Sequence, residues 1–583
     1  MDAATWWDSD CLSTLKRQAK ARPDHPALVH YPTAEAQIPQ TLTYGRAYQA
    51  ACALAWTLRD RGVGTQDVVA VILPPVPEAL IAIAAISAIA VVFPVNPLLT
   101  AEAIAAQMAL AGVKAVVAYG PLAGSDLEPR TLAAIAATPS VRLLIDVTAG
   151  SAPAPAGVEH LAWAALEAGG PVEPALGERA AILLHTGGTT GSPKLAELGL
   201  AALSAGAALA AEAMNLGPGD RVFHLLPFFH VGGAVAVGLS LFSVGATLIN
   251  CSPNGARDPQ AIARFWALGA RCEATVVGLV PASWSLVAAQ DRPTLWPQLR
   301  GLATGAAAMP PELVQRLAAL AGVAMHQVFG MTETAGIISA QPLDGLARDP
   351  AVGFSPPPIR TRFKPIGPNG PHELEVSGPV LFNGYRTAER LVDQPGEWLS
   401  TGDLAQLDGA GQISLAGRSK DVIIRGGHNI DPLMIEAVAA RHPEVVMSAA
   451  VGRPDAFAGE VPVLFVVPRP GATLTPQALR DYVCARIDEP PARPRDVMFA
   501  PALPLTAVGK VARYVLRQQA AARCAEEILC GEPTLPDRAI DCTDVGARVI
   551  RVHWASAEDG EADALARRLL SPFNLSLESH WRN

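Results

Sequence analysis

Short runs of valine, isoleucine and leucine alternate with alanine-rich stretches from Leu42 to Pro281, and no other property of the chain limits its fold as much. Residues 68–73, 91–95, 114–117 and 142–145 read as strands, and stretches such as 101–111 read as the helices between them. Strands apolar on both faces and separated by helices build parallel sheets covered by helices, an α/β architecture. The pattern changes near Arg418. Short alternating segments at 373–377 and 412–415 precede it and predict a small β region. After it, a helix at 432–441, strands at 445–451 and 463–467, and a helix at 476–487 predict a compact α+β unit. Farther on, a strand at 549–554, a helix at 560–570 and a second strand at 575–577 suggest a small βαβ-like appendage, the alternative being a partly disordered tail. The expected division is 1–419, 420–520 and 521–583.

At 583 residues the chain has length for several cored domains. Its net charge of −9 and lack of a basic stripe argue against a nucleic-acid partner. The most apolar run, 79–93, is about fifteen residues long, short of the roughly twenty that a membrane span needs. It predicts a buried helix leading into a strand that stops at Pro94. The first ten residues, MDAATWWDSD, are acidic where an export signal is basic and then apolar. The eight cysteines are scattered without a Cys-x-x-Cys pair. They read as reduced thiols of a cytoplasmic protein, with no zinc site.

TGGTTGSPK at 186–194 follows an apolar run at 180–184. Glycines bring backbone N–H groups close to a ligand, hydroxyls add donors and a lysine adds charge, so the segment suits a polyphosphate. It is not a Walker loop, because Pro193 precedes Lys194 and Leu195 follows it.

Four further segments follow in order: FGMTETAG at 329–336, STGDLAQLD at 400–408, GRSKDVIIRGGHNIDP at 417–432 and PLTAVGKVAR at 504–513. With the loop, they make roughly the first 520 residues resemble the adenylate-forming superfamily of acyl-CoA synthetases, luciferases and peptide-synthetase adenylation domains. The resemblance implies a large N-terminal domain, a small mobile C-terminal domain, and an active site between them. It implies an ATP-dependent ligase that joins a carboxylic acid to ATP as acyl-AMP, releases pyrophosphate, then passes the acyl group to coenzyme A. Two anions meet in the first step and the carboxylate is already ionised. No general base is needed, and the site must supply cations and oriented donors.

Residue by residue, the resemblance assigns the phosphates to Thr186, Gly187, Gly188, Thr189, Thr190, Gly191 and Lys194, and Mg²⁺ to Glu333 and Thr186. It gives the α-phosphate to Thr332 and the adenine to Phe329 and Gly330, with Gly305, Ala306 and Ala307 on the other side. Asp403 and Arg418 would hold the ribose. Lys510 would bridge carboxylate and α-phosphate as a compact ammonium. Lys420 occupies the hinge position, and Arg425, Gly426 and Gly427 would enter the site only for thioester formation.

His230 in LPFFHVGG is either an acyl-pocket residue or a packed core residue. Trp284, Thr304, Val328 and Ile337 are further pocket candidates, and all but Thr304 are apolar, which favours a fatty or aromatic acid. No acid in 227–233 could hold an α-ammonium, which argues against an amino acid. Val328 stands where many relatives have glycine and would narrow the pocket. Gly187, Leu195 and Leu198-Gly199 also depart from the usual serine, glycine and histidine. The alternatives are an acyl-AMP ligase that loads an acyl carrier protein and an inactive nucleotide-binding homologue. Monomer and homodimer both fit the sequence.

Overall fold

A computed structural model describes residues 10–581 apart from 149, 168–169, 171, 187–193, 291–295, 308, 310, 346, 348–350, 366–371, 388–389, 419–420, 427, 488, 507–509, 537, 545–548 and 556–558. The alternation of strand and helix builds two large sheets. In the first, of nine strands among the described residues, Val68–Ile72 lies parallel between Val91–Pro94 and Val113–Ala118. Leu143–Asp146 and Glu159–Ala162 extend it on one side and Ala180–Thr186 on the other. Beyond Ala180–Thr186 the pairing turns antiparallel through Lys194–Gly199, Gly384–Arg386 and Leu391–Val392. In the second sheet, Pro26–His30, Thr247–Asn250, Arg221–His224, Val276–Leu279, Gly301–Gly305 and Met325–Phe329 run parallel, with short antiparallel strands at both edges.

Pro77–Ile89 is buried along its length except at Glu78. A helix apolar all round belongs between layers rather than on a surface. Pro77 opens it at a position with no intrahelical N–H to lose, and extended backbone at Ala90 turns the chain into Val91–Pro94. Among the described residues, no helix is long and apolar enough to cross a membrane.

The β region is a four-stranded antiparallel sheet of Arg360–Pro365, His372–Ser377, Leu399–Leu407 and Ile413–Arg418. The following α+β unit has its own core, in which Ile435, Leu464, Val466, Leu479 and Val483 meet. Its central strand Gly459–Pro468 pairs antiparallel with Val445–Asp455 and parallel with Asp496–Phe499.

The last segment is ordered around Val549–Trp554, Gly560–Leu570 and Ser576–Trp581, a parallel βαβ unit. It has one strand more than the sequence suggests: Arg538–Asp544 pairs antiparallel with Val549–Trp554. Three charges in RAIDCTD hide that edge strand from a hydrophobic pattern. The expected boundary at 520 falls inside the helix Arg513–Cys530. Leu516 and Ala520 of this helix pack with Val451, Val463 and Phe465. Its Ala521, Ala525 and Leu529 pack with Ile550, Val552, Trp554 and Leu570. One continuous helix therefore welds the appendage to the α+β unit.

Candidate active site

The phosphate-loop motif closes a β-hairpin. Thr186 faces Lys194 across the ladder and its hydroxyl donates to the Lys194 carbonyl at 3.4 Å. Gly187, Gly188, Thr189, Thr190 and Gly191 lie outside the described residues. The Lys194 ammonium sits 3.3 Å from Asp393 Oδ2 and 4.7 Å from the centre of the Tyr385 ring.

FGMTETAG folds into a tight turn after the strand Met325–Phe329. The Thr334 hydroxyl accepts from the Met331 N–H at 3.2 Å. Ala335 and Gly336 take φ of +51° and +91°. The turn folds back so closely that a Cβ on Gly330 would lie 2.2 Å from the Gly336 carbonyl oxygen, so this glycine is required by space. Thr332 and Glu333 are consequently buried. The Glu333 carbonyl accepts from the Phe382 N–H at 3.0 Å, and its carboxylate accepts from the Tyr385 hydroxyl at 2.5 Å. Phe329 and Gly330 are half-buried at the mouth of the turn. The neighbouring strand ends in Gly305, which abuts the Val328 carbonyl, and continues into Ala306 at φ +70° and exposed Ala307.

Asp403 is buried on Leu399–Leu407, its N–H bonded to Thr401 Oγ1 at 3.0 Å, and it faces Arg418 in the ladder. The Arg418 side chain, Lys420 and Gly427 fall outside the described residues. Arg425 donates to the Pro491 carbonyl at 2.8 Å, and the Gly426 N–H to Ala458 at 2.8 Å. That loop is thus tied to its own unit.

Lys510 stands on a short hairpin in which Leu505 pairs with Val511. The Thr506 N–H donates to the Lys510 carbonyl at 2.7 Å, and the Lys510 N–H to Thr506 Oγ1 at 3.1 Å. The Lys510 charge reaches His230. Burial first, then Lys510 and then His185, push the His230 imidazole down to about 3. His230 is neutral at physiological pH, and its Nδ1 accepts from the Gly232 N–H at 3.2 Å. It heads the π-helix Gly232–Leu239, a local form frequent at functional sites that the sequence reading did not foresee.

The other pocket candidates divide. Val328 is half-buried. Thr304 is buried, and its hydroxyl has no partner among the described residues. Ile337 belongs to the main core. Trp284 is fully buried against Phe265 at 5.7 Å, with its N–H bonded to the Ala303 carbonyl at 3.0 Å.

Residues 15–386 match the family described as AMP-binding enzyme, and residues 434–510 match its C-terminal domain. The chain belongs to the AMP-binding enzyme family. Marinolic acid–CoA ligase of Pseudoalteromonas sp. is 28% identical over 89% of this chain and 82% of its own length. Indoleacetate–CoA ligase of Aromatoleum aromaticum is 33% identical over 67% of this chain and 78% of its own. The crystal structure of the anthranilate–CoA ligase AuaEII with anthranoyl-AMP superposes with a TM-score of 0.77 at 20% identity, covering 90% of this chain and all of that one. This last likeness is one of fold.

Sequence reasoning missed His185, Tyr385 and Asp393. His185 directly precedes Thr186 and was legible as part of the loop's strand. Tyr385 and Asp393 lie about 190 and 200 residues beyond the loop, and only the antiparallel pairing of Gly384–Arg386 on Lys194–Gly199 brings them to it.

Proposed function

We propose that this protein is an ATP- and Mg²⁺-dependent, AMP-forming acid–thiol ligase for a hydrophobic carboxylic acid. The observation that carries the reading is the tight turn that buries Thr332 and Glu333 beside Phe329 at the end of the strand Met325–Phe329, in a chain whose residues 15–386 match the AMP-binding enzyme family.

In the first half-reaction a carboxylate oxygen attacks the α-phosphorus of ATP and pyrophosphate leaves. The substrate acid is ionised at neutral pH, so no residue here must take a proton. Lys510 offsets the repulsion between carboxylate and α-phosphate, and the acyl group lies beside His230 and Val328. Thr332 contacts the α-phosphate, Phe329 covers the adenine, and Asp403 accepts from the ribose. In the second half-reaction the thiolate of coenzyme A attacks the acyl carbonyl carbon and AMP leaves. Arg425 and the glycines after it serve that step once the α+β unit, together with the appendage that its last helix carries, has turned about Lys420, a gating device known in other enzymes.

Glu333 and Thr186 fit magnesium. Glu333 is one buried carboxylate with a single oxygen engaged by Tyr385, and no cluster of three metal-binding side chains exists among the described residues. Magnesium favours such a site, taking one or two protein oxygens and filling its octahedron with phosphate and water. When bound, the ion neutralises charge on the phosphates.

A neutral imidazole at the acid side offers no counter-charge to an α-ammonium, which supports a fatty or aryl acid over an amino acid. The protein is assigned to the cytoplasm and to fatty- or aryl-acid activation. Pyrophosphate release over a panel of fatty, branched, aryl and cyclic acids, each with and without coenzyme A, tests the reading. Release that needs both an acid and coenzyme A is expected. Acid-dependent release indifferent to coenzyme A would shift the acceptor to a carrier protein, and no release with any acid would overturn the assignment.

A further inference from the structure

The segment 382–386 touches both halves of the phosphate-binding apparatus. At its start, the Phe382 N–H binds the Glu333 carbonyl. At its end, Arg386 grips Glu197 on the strand that follows the phosphate loop, with Nε 2.8 Å and Nη2 2.5 Å from one carboxylate oxygen. Asn383 adds a hydrogen bond of 3.1 Å to the other oxygen. Glu197 is buried, so this charge-assisted grip sets the register of Gly384–Arg386 on Lys194–Gly199. Between the two anchors stands Tyr385, its ring edge-on to Phe382 at 5.0 Å, its hydroxyl on Glu333 Oε1 and its face under the Lys194 ammonium.

We propose that Tyr385 is a positioning residue for the nucleotide, holding one oxygen of Glu333 so that the other is presented to the phosphate-bound cation, and carrying Lys194 on its ring beside the phosphate loop. The inference rests on the reading of Glu333 as the cation ligand. A free carboxylate rotates about its last bond, and an ion that accepts few protein oxygens gains from one fixed in advance. The hydroxyl does this and, because it donates, leaves the negative charge on the carboxylate. The ring keeps the Lys194 ammonium near the loop through its negative face. Asp393, an exposed partner of Lys194, competes with the phosphates for the same ammonium.

The test is binding, with no acid substrate present, so that nothing turns over. Mn²⁺ affinity is read by electron paramagnetic resonance on the full-length enzyme with ATP. Tyr385→Phe removes only the hydroxyl and is expected to weaken Mn²⁺ binding about tenfold, the scale of a hydrogen bond to a charged group, while metal-free ATP affinity is kept. Tyr385→Leu should weaken metal-free ATP binding as well, because Lys194 loses its platform. Asp393→Asn should strengthen ATP binding by about two- to threefold, as expected of an exposed pair. In a Glu333→Gln background, Tyr385→Phe should add nothing to the loss of Mn²⁺ affinity.

A Tyr385→Phe protein with wild-type Mn²⁺ affinity would overturn the proposal, and so would full additivity with Glu333→Gln. A purely structural tyrosine would lower the melting temperature and leave the metal titration in place. Absence of Mn²⁺–ATP binding by the wild type would overturn both this inference and the nucleotide site beneath it. Normal binding with no turnover on the acid panel would overturn the ligase reading and leave Tyr385 in its role.

Discussion

Glu333 and Lys510 are proposed to bring opposite charges to one reaction, and the chain holds them differently. Glu333 sits in a buried turn whose backbone is locked by two left-handed residues, the Thr334 hydroxyl and the Phe382 N–H, and whose carboxylate is held by Tyr385. Lys510 stands on a small hairpin, closed by the Leu505–Val511 bridge and bonds between Thr506 and Lys510, on a unit with its own core. The contrast fits what each is proposed to do. A cation ligand works best when its position is settled before the nucleotide arrives. A cation needed in only one of two half-reactions must be able to leave, so it belongs on a part that moves without unfolding anything.

The strongest way to break the contrast is Lys510→Ala. Adenylation should fall about 10²- to 10³-fold, the scale of losing one oriented transition-state donor. Thioester formation from preformed acyl-AMP should continue, because in that step the lysine has left. Rapid-quench measurement of the two half-reactions separates them, and equal loss in both would mean that Lys510 is not the departing cation.

Next in size is Gly330→Ala, which attacks the rigid side through its backbone. The new methyl carbon would lie 2.2 Å from the Gly336 oxygen, so the turn that buries Thr332 and Glu333 must open. Overpacking of this kind costs about 1–3 kcal/mol, to be read as a lower melting temperature together with loss of adenylation. Preserved adenylation would show that the turn tolerates movement and that the contrast is overdrawn.

How far the sequence foretold this arrangement depends on the range of the forces involved. The strands at 68–72, 91–94 and 113–118 and the buried helix after Pro77 were legible because burial on all sides writes an uninterrupted apolar run. Glu333, Asp403 and Lys510 are proposed for the site through short motifs that resemble a family, and spacing alone does not single them out. Tyr385 and Asp393 carry no such motif, since each is brought to Lys194 only by strand pairing between segments about 190 residues apart. The strand Arg538–Asp544 was hidden for a different reason: three charges among its seven residues break up the apolar pattern of a strand at a sheet edge.

The smallest expected effect lies where the two regions adjoin. Asp431 caps the helix Pro432–Ala440 through its bond to the Leu433 N–H at 2.9 Å, and a Cβ on Gly417, at the end of the four-stranded sheet, would lie 2.7 Å from its Oδ1. Burial, with a lesser contribution from the like charge of Asp421, pushes its carboxyl up to about 6, against the pull of Leu433 and Arg513. Between the ordinary value of 3.8 and about 6, the folded chain keeps a proton that the unfolded chain has released. Stability must therefore fall as pH rises through that window and level off above it. Asp431→Asn keeps a capping oxygen and removes the charge. It should leave stability unchanged near pH 4 and raise it by on the order of 1–2 kcal/mol at pH 8, less than the full shift because water reaches part of the site. Amide exchange along Pro432–Ala440 at the two pH values reads the difference locally, which matters because separately cored regions need not unfold together. Slower exchange at pH 8 and none of it at pH 4 would show that this seam is held under electrostatic tension. An equal change at both values would assign the effect to helix capping alone and remove charge from the account of this seam.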